Sequence, residues 1–388
     1  FFFFGFLFSG LFACFSCAPE APERPARVLD QELVKVDELS LALDRESSYE
    51  VFQAQYLEAG GEAWLFTMNH LINAVNMYSL RDGRLAKKVR FPREGPHSVR
   101  QIQGFLALSL DSILILPRGN LMRAIMVDTA GALVREAPLA GAEWEGSPII
   151  NHASNANAPP VYHRGRLYFV QYPLFDIYHP GNIDDRFEFS LVYDPGAKRL
   201  SGGGIRYPTA YQGKIWPAYA HALGQVKGHG DWFVYNWPFS GDLHVTDRQS
   251  RKWVAAAVSP APPPPRPYSG VPDQAAEIRT MLEHVTYKRL YYDPFRRLYY
   301  RMALLPTAYS ADRHRDYRAF EEQPIKVITL DERFEVIAET ALPNRTYGIT
   351  ACFVGRAGLY IPQINAQNED LDEDVLTYSV YQIKPKQQ

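Results

Sequence analysis

The chain has 388 residues, of which 46% are hydrophobic, 22% charged and 13% aromatic, enough apolar material for a sizeable core. Lys and Arg number 41 against 43 Asp and Glu, a net charge of −2, which argues against disorder and against a phosphate-backbone binder. With 24 Tyr, 22 Phe and 29 Pro, the composition favours strands and turns over helices.

The chain opens on an uncharged, Phe-rich stretch, Phe1 to Ser16. It is shorter than the roughly 20 apolar residues of a spanning helix and has the apolar core and small-residue exit of an export signal. Without Met or a basic start, it reads as slightly shortened at the N-terminus. The exit, Ala13-Cys14-Phe15-Ser16-Cys17, resembles a bacterial lipoprotein signal, in which the cysteine after a small residue is diacylated. It departs from that pattern at Cys14, where an aliphatic residue is usual. The resemblance implies lipidation at Cys17 and an envelope address on the outer membrane, periplasmic or surface-facing. Residues 17–30, with their Pro/Ala/Glu run from Ala18 to Arg27, then form an extended tether. A plain signal peptide cut nearby is the alternative. Cys352 remains the one internal cysteine, so no internal disulfide or cysteine metal cluster is expected. Its neighbours, Ile349 to Val354, mark it as a small buried hydrophobe.

From residue 31 the chain repeats a pattern of short apolar strands separated by Asp- and Gly-containing turns. Met68 to Phe91 carries a hairpin at Asp82-Gly83. Phe105 to Leu139 turns at Asp128 to Gly131, and the unit from Val161 turns at Asp194-Pro195-Gly196. A fourth unit runs from Gly230 to Val258. A fifth, beginning at Arg289, turns at Asp331 to Arg333, and a sixth runs from Ala351 to Lys384. Six units give roughly 60 residues each, more than the 40–50 that a four-stranded blade needs, so the surplus belongs to loops. The expected fold is all-β, a six-bladed β-propeller over residues 31–388. The last unit lacks room for a fourth strand, and Gln31 to Leu43 or Tyr49 to Leu57 is placed to supply it from the N-terminus. Residues 259–285 break the pattern: a proline loop, Ser259 to Pro267, precedes a short helix from Asp273 to Val285. Asp273 is its cap, and Ala275, Ile278, Met281, Leu282 and Val285 are its apolar stripe.

Phe91-Pro-Arg-Glu-Gly-Pro96, the run from Tyr292 through Leu304 and the Cys17 box resemble the six-bladed propeller lipoproteins of Bacteroidota grouped as DUF4221. The resemblance spans nearly the whole mature chain. It implies a fold and an address, and it brings no activity with it.

Chemistry-bearing motifs are few. No Gly-x-Ser-x-Gly, P-loop, Gly-x-Gly-x-x-Gly or His-Glu-x-x-His occurs, and Gly202 to Gly204 reads as a turn. His221 and His229 are too far apart for ligands on one local element. The acidic run Asn365 to Asp374, with Asp370, Asp372 and Asp374, reads as a solvated hairpin tip, not a calcium loop. No cofactor and no metal are expected.

Topology is more informative. Propeller connections between blades gather on one face, here Arg93–Arg100, Gly141–Pro160, Tyr207–His221, Ser259–His284 and Pro343–Thr350. They carry Arg93, His97, Arg100, Trp144, His152, Tyr211, Trp216, Arg345 and Tyr347, candidates for a ligand or partner face. Packing at blade interfaces is the competing role for the aromatic ones. The expected function is a lipid-anchored binding or docking module, without catalysis, for an envelope protein, carbohydrate or peptide; nucleic acid is not expected. An accessory subunit of a membrane complex is a second reading. A hydrolase or lyase using His97, His152 and His221 with Glu94 or Glu145 is a third.

Overall fold

The computed structural model describes residues 29–95, 98–118, 123–139 and 151–386. Cys17, His97, Trp144 and Glu145 therefore lie outside the described residues. Four antiparallel four-stranded sheets follow one another along the chain. The first comprises β2 (Ala54–Ala59), β3 (Glu62–Asn69), β4 (Ala74–Ser79) and β5 (Leu85–Arg90). The second comprises β6 (Ile102–Ser109), β7 (Ser112–Pro117), β8 (Arg123–Val127) and β9 (Leu133–Pro138). The third comprises β10 (Val161–His163), β11 (Arg166–Val170), β12 (Ser190–Asp194) and β13 (Arg199–Gly202). The fourth comprises β14 (Gly224–Lys227), β15 (Phe233–Asn236), β16 (Asp242–Thr246) and β17 (Arg251–Ala255).

The remainder forms one eight-stranded sheet, where two separate four-stranded sheets were expected. One half is β18 (Thr286–Asp293), β19 (Leu298–Leu304), β20 (Ile325–Leu330) and β21 (Val336–Ala341). The other is β22 (Phe353–Gly355), β23 (Gly358–Pro362), β24 (Val375–Pro385) and the N-terminal strand β1 (Gln31–Ala42). The halves join because β1 touches β21 in a single parallel pair, Gln31 with Ala338, beside a hydrogen bond from the Leu33 amide to Thr340 Oγ1 at 2.8 Å. Along β24, by contrast, β1 pairs antiparallel from Gln31–Pro385 to Ala42–Val375. Of the two N-terminal segments placed to supply a closing strand, Gln31 to Leu43 is the one that pairs with the C-terminal strand. Tyr49 to Leu57 runs instead into β2, in the first sheet.

The result is an all-β, propeller-like fold with one α-helix among the described residues. Burial follows strand position. The central strands β4 and β19 are buried along their whole length, whereas the last strands β5 and β17 alternate or face solvent. Strands covered on both faces read as continuous apolar runs, as these do. Among the described residues, six of the apolar clusters lie between successive units, and one of them joins β24 and β22 back to β3 and β4 of the first sheet.

The Asp-containing hairpins owe their legibility to one device. Asp128, Asp194, Asp293 and Asp331 each turn a carboxylate oxygen onto two backbone amides just ahead in the turn, at 2.8–3.1 Å. That side-chain turn substitutes for backbone bonds at a reversal. The helix α1 (Gln274–Glu283) is capped by Asp273, which accepts from the Ala276 amide at 2.7 Å. It stops two residues before Val285 because His284 is already extended and leads into β18. Its stripe also differs from expectation: Ala275 is exposed and Glu277 is buried, with Ile278, Met281 and Leu282.

In each antiparallel unit, the connections from first to second and from third to fourth strand share one face. There the turns are short, the longest being those such as 128–132 and 331–335. Among the described residues, the opposite face carries every longer connection: 43–53, 91–95 with 98–101, 139 with 151–160, 171–189, 203–223, 256–285, 305–324, 342–352 and 363–374. The α-helix belongs to this long-loop face.

Candidate functional site

On the long-loop face, four connections enclose a cavity of about 260 Å³. Its wall is largely apolar, built by Val51, Phe52, Phe320, Tyr347, Ile349 and Ile364, with Leu304 and Ile325 from β19 and β20 below. Glu50, Arg318 and Glu321 supply its charge, and Arg318 reaches Glu50 at 3.4 Å. Burial raises the Glu321 carboxyl above the ordinary range. Gln323 borders the cavity. Its Nε2 donates to the carbonyls of Leu305, Met281 and Leu282 at 3.0–3.3 Å, which fixes the amide orientation. Oε1 is then a buried acceptor with no partner among the described residues. An unsatisfied buried acceptor costs about 1–3 kcal/mol. A ligand with an apolar body matches this lining.

Behind Phe320 lies a second unusual group. Lys288, on the first strand of its unit, is buried, with Nζ 3.5 Å from the Tyr219 ring centre and 4.9 Å from that of Phe320. No hydrogen bond or carboxylate meets that ammonium among the described residues. Burial, and next the neighbouring Arg289 cation, lower its amine to about 7. Two desolvated cation–π contacts contribute about 2 kcal/mol or more each, against several kcal/mol for desolvating the charge. The lowered amine indicates that these surroundings offset the desolvation incompletely. Arg301 shows how this fold treats a purely structural cation. It is fully buried, yet its guanidinium donates to Asn236 Oδ1 and to the carbonyls of Ser240, Gly241 and Ala256 at 2.7–3.1 Å, against the Tyr287 ring.

The residues singled out in the sequence scatter across the long-loop face. Tyr347 lines the apolar cavity, buried, with its hydroxyl within 3.1 Å of Ser379 Oγ and 2.8 Å of Tyr381 Oη. Arg93, Arg100 and Arg345 are exposed, and Arg93 reaches the Leu71 carbonyl at 3.5 Å. Tyr211 and Trp216 are buried and stacked on each other, 4.7 Å between centres, inside the core shared by the third and fourth sheets. They seal loop 203–223 against that core and present little surface to a ligand. His152 and His221 are also buried. His152 Nε2 donates to the Pro117 carbonyl at 2.7 Å, and the Tyr207 hydroxyl is 2.7 Å from His221 Nδ1. Burial lowers both imidazoles, His221 to about 4, and each is bonded into a different loop. They do not meet as an acid–base pair, and Glu94 is exposed. Phe52, Lys288, Arg289, Phe320 and Gln323 were not singled out in the sequence; no motif marks them.

Two larger grooves, of about 680 and 590 Å³, open on the short-turn face. Most of their charges are already paired. Asp231 binds His163 and Arg164 at 2.8 and 2.7 Å, Arg166 meets Asp194 at 3.0 Å, and Arg356 spans the second groove to Glu58. Among the described residues no three His, Cys, Asp or Glu side chains gather as a metal site. Cys352 is buried and its thiol is pushed up to about 12, chiefly by that burial.

No family model matches the chain, and no curated protein matches it. Among solved structures it is similar to a member of the DUF4221 family from Bacteroides vulgatus ATCC 8482. The TM-score is 0.78 at 22% identity, over 92% of this chain and 99% of that one. A protein from Bacteroides fragilis NCTC 9343 matches with a TM-score of 0.53 at 9% identity, over 94% and 98% of the two chains. The likeness to a DUF4221 member read from short motifs thus extends, as a fold, over nearly the whole chain.

Proposed function

We propose that this chain is a six-bladed propeller that binds a ligand or docks a partner through its long-loop face, held on the bacterial envelope by lipid at Cys17. On this reading the eight-stranded sheet is two blades touching at their outer edges, and the six apolar clusters are six blade interfaces. Strand β1 closes the ring by completing the last blade from the N-terminus.

The observation that carries the binding role is the asymmetry of the disc. Every long connection leaves one face, and there the loops enclose a largely apolar cavity that also carries Glu50, Arg318 and Glu321. Loops on a rigid scaffold are the usual place for recognition, and an apolar pocket with a few convergent polar groups suits a small ligand or a partner's inserted side chain. Phe52, about half exposed at the rim, extends the apolar surface outward to His70, 4.9 Å away.

Native mass spectrometry of the protein extracted from its own membranes in mild detergent tests this reading. The expected result is a mass equal to the chain from Cys17 plus acyl groups, with a bound species that Phe52→Asp and Ile364→Arg release. A partner protein as that species makes the chain a subunit, and a small molecule makes it a ligand carrier. An unlipidated mass overturns the anchor. Indifference of every bound species to both substitutions overturns the face.

A further inference from the structure

Lys288 and Arg289 occupy an irregular point of the strand. Tyr287 pairs with Ala303 and Leu290 with Arg301, so these two residues stand opposite Met302 alone. This is a β-bulge, and it interrupts the alternation that sends consecutive side chains to opposite faces. Bulges recur beside binding sites, where they re-aim side chains. Here the bulge holds two cations next to one another near the start of the first strand of its unit, close to the long-loop face.

Neither cation has an anionic partner among the described residues. Lys288 is more than nine-tenths buried between the rings of Tyr219 and Phe320, and Arg289 Nε is buried with no acceptor. Tyr219 belongs to loop 203–223 and Phe320 to loop 305–324, so loops from separate units converge on the pair. Tyr219 and Arg289 are each part exposed, so the pair lies near the surface. Arg301, a few residues along the chain, has acceptors at Nε and at both terminal nitrogens, so incomplete pairing is not how this fold treats buried cations in general.

We infer that Lys288 and Arg289 form an oxyanion-binding site at the long-loop face, taking the phosphate or carboxylate group of a small ligand whose apolar part lies against Tyr219 and Phe320. This deepens the binding role proposed above and rests on it for its biological meaning, since Phe320 also lines the apolar cavity. An oxyanion supplies what both cations lack, a charge-assisted acceptor with geometry suited to a guanidinium.

The test is titration calorimetry of the full chain at pH 6.5 and constant ionic strength, with inorganic phosphate in one arm and benzoate in the other. Saturable one-to-one binding is expected in at least one arm, weakened tenfold or more in both Lys288→Met and Arg289→Met. Binding in the phosphate arm alone assigns a phosphate-bearing ligand, and binding in the benzoate arm alone a carboxylate. The wild-type protein binding neither anion overturns the site, as does Lys288→Met binding like wild type. Arg289→Met, whose side chain is part exposed, keeps the site testable should Lys288→Met fold poorly. Calorimetry with free anions reads this site, and release of the membrane-extracted species by Phe52→Asp reads the docking face, so failure of one and failure of the other give different results.

Discussion

Glu277 accepts a hydrogen bond from the Tyr178 hydroxyl at 2.9 Å, and both its oxygens lie 3.0–3.1 Å from the Ala218 amide. One helical carboxylate thus ties the insertion to loops 171–189 and 203–223 of other units. Burial raises this carboxyl above the ordinary range, its hydrogen bonds opposing the shift. The folded state therefore holds the proton more tightly than the unfolded chain. Stability from this group is full below the unfolded pKa and is lost as pH rises through the folded value. Glu277→Gln should flatten that part of the pH–stability curve, at little cost near pH 7. Glu277→Ala should lose about 1–3 kcal/mol, because the Tyr178 hydroxyl and Ala218 amide are left unpaired. Urea unfolding of both variants between pH 4 and 8 checks the pair of outcomes.

Arg301 should behave as a structural cation. Arg301→Met leaves the acceptors at Asn236, Ser240, Gly241 and Ala256 without their donor in the interior. The expected loss is about 3–5 kcal/mol, the range for breaking a buried charged network by removing one partner. A shift of the urea midpoint without a change in slope reports it, and an unchanged midpoint contradicts it.

Gly104 is placed where only hydrogen fits. A Cβ there would stand 2.5 Å from the Ser154 carbonyl oxygen and 2.8 Å from its carbon, both backbone atoms with little room to yield. Gly104→Ala should cost about 1–3 kcal/mol through overpacking and push the segment around Ser154 away from β6. Faster amide exchange confined to residues 151–158 and β6 is the signature to look for.

Deleting residues 29–42 removes β1 and bares β24 along its length. Still paired with β23 on its other side, β24 becomes an open sheet edge, and such an edge templates association with other chains. The shortened protein should appear as oligomers or precipitate in size-exclusion chromatography, whereas the intact chain elutes as one species. A soluble monomer would show that β1 is dispensable for closing the fold.

The hairpins and the helix were legible because each depends on a local signal. Asp128, Asp194 and Asp331 each bind the turn that follows them, and Asp273 caps the helix it precedes. The long-loop face was legible as spacing, since strands can be counted and the surplus assigned to loops. Its chemistry was not. Tyr211 and Trp216 have the composition of a binding loop, yet they pack into the core beneath it, a choice made by contacts with Trp237 and other distant residues. Glu277 sits in a helical position indistinguishable from a solvated one until Tyr178 and Ala218 arrive from elsewhere in the chain. The Lys288–Arg289 pair depends on a bulge, which exists only against its partner strand β19. What was missed was set by pairing across the fold, beyond the reach of a local pattern.

That cation pair carries a pH signature of its own. Burial, and next the Arg289 charge, lower the Lys288 amine to about 7, while the unfolded chain keeps the ordinary lysine value. Between these two values the unfolded state binds more protons, so stability rises with pH across that window and falls as pH drops through 7. The slope is at most about 1.4 kcal/mol per pH unit for a single group. Lys288→Met removes the titrating group and should be less sensitive to pH from 7 to 10, with stability at neutral pH equal to or above that of wild type. Bound phosphate should reverse the wild-type trend, since the anion stabilises the protonated amine and is released as pH rises. Denaturation curves of wild type and Lys288→Met at pH 6.5, 8 and 9.5, with and without phosphate at matched ionic strength, separate the two effects. A wild-type slope equal to that of Lys288→Met in every condition would mean that the ammonium does not titrate in this range.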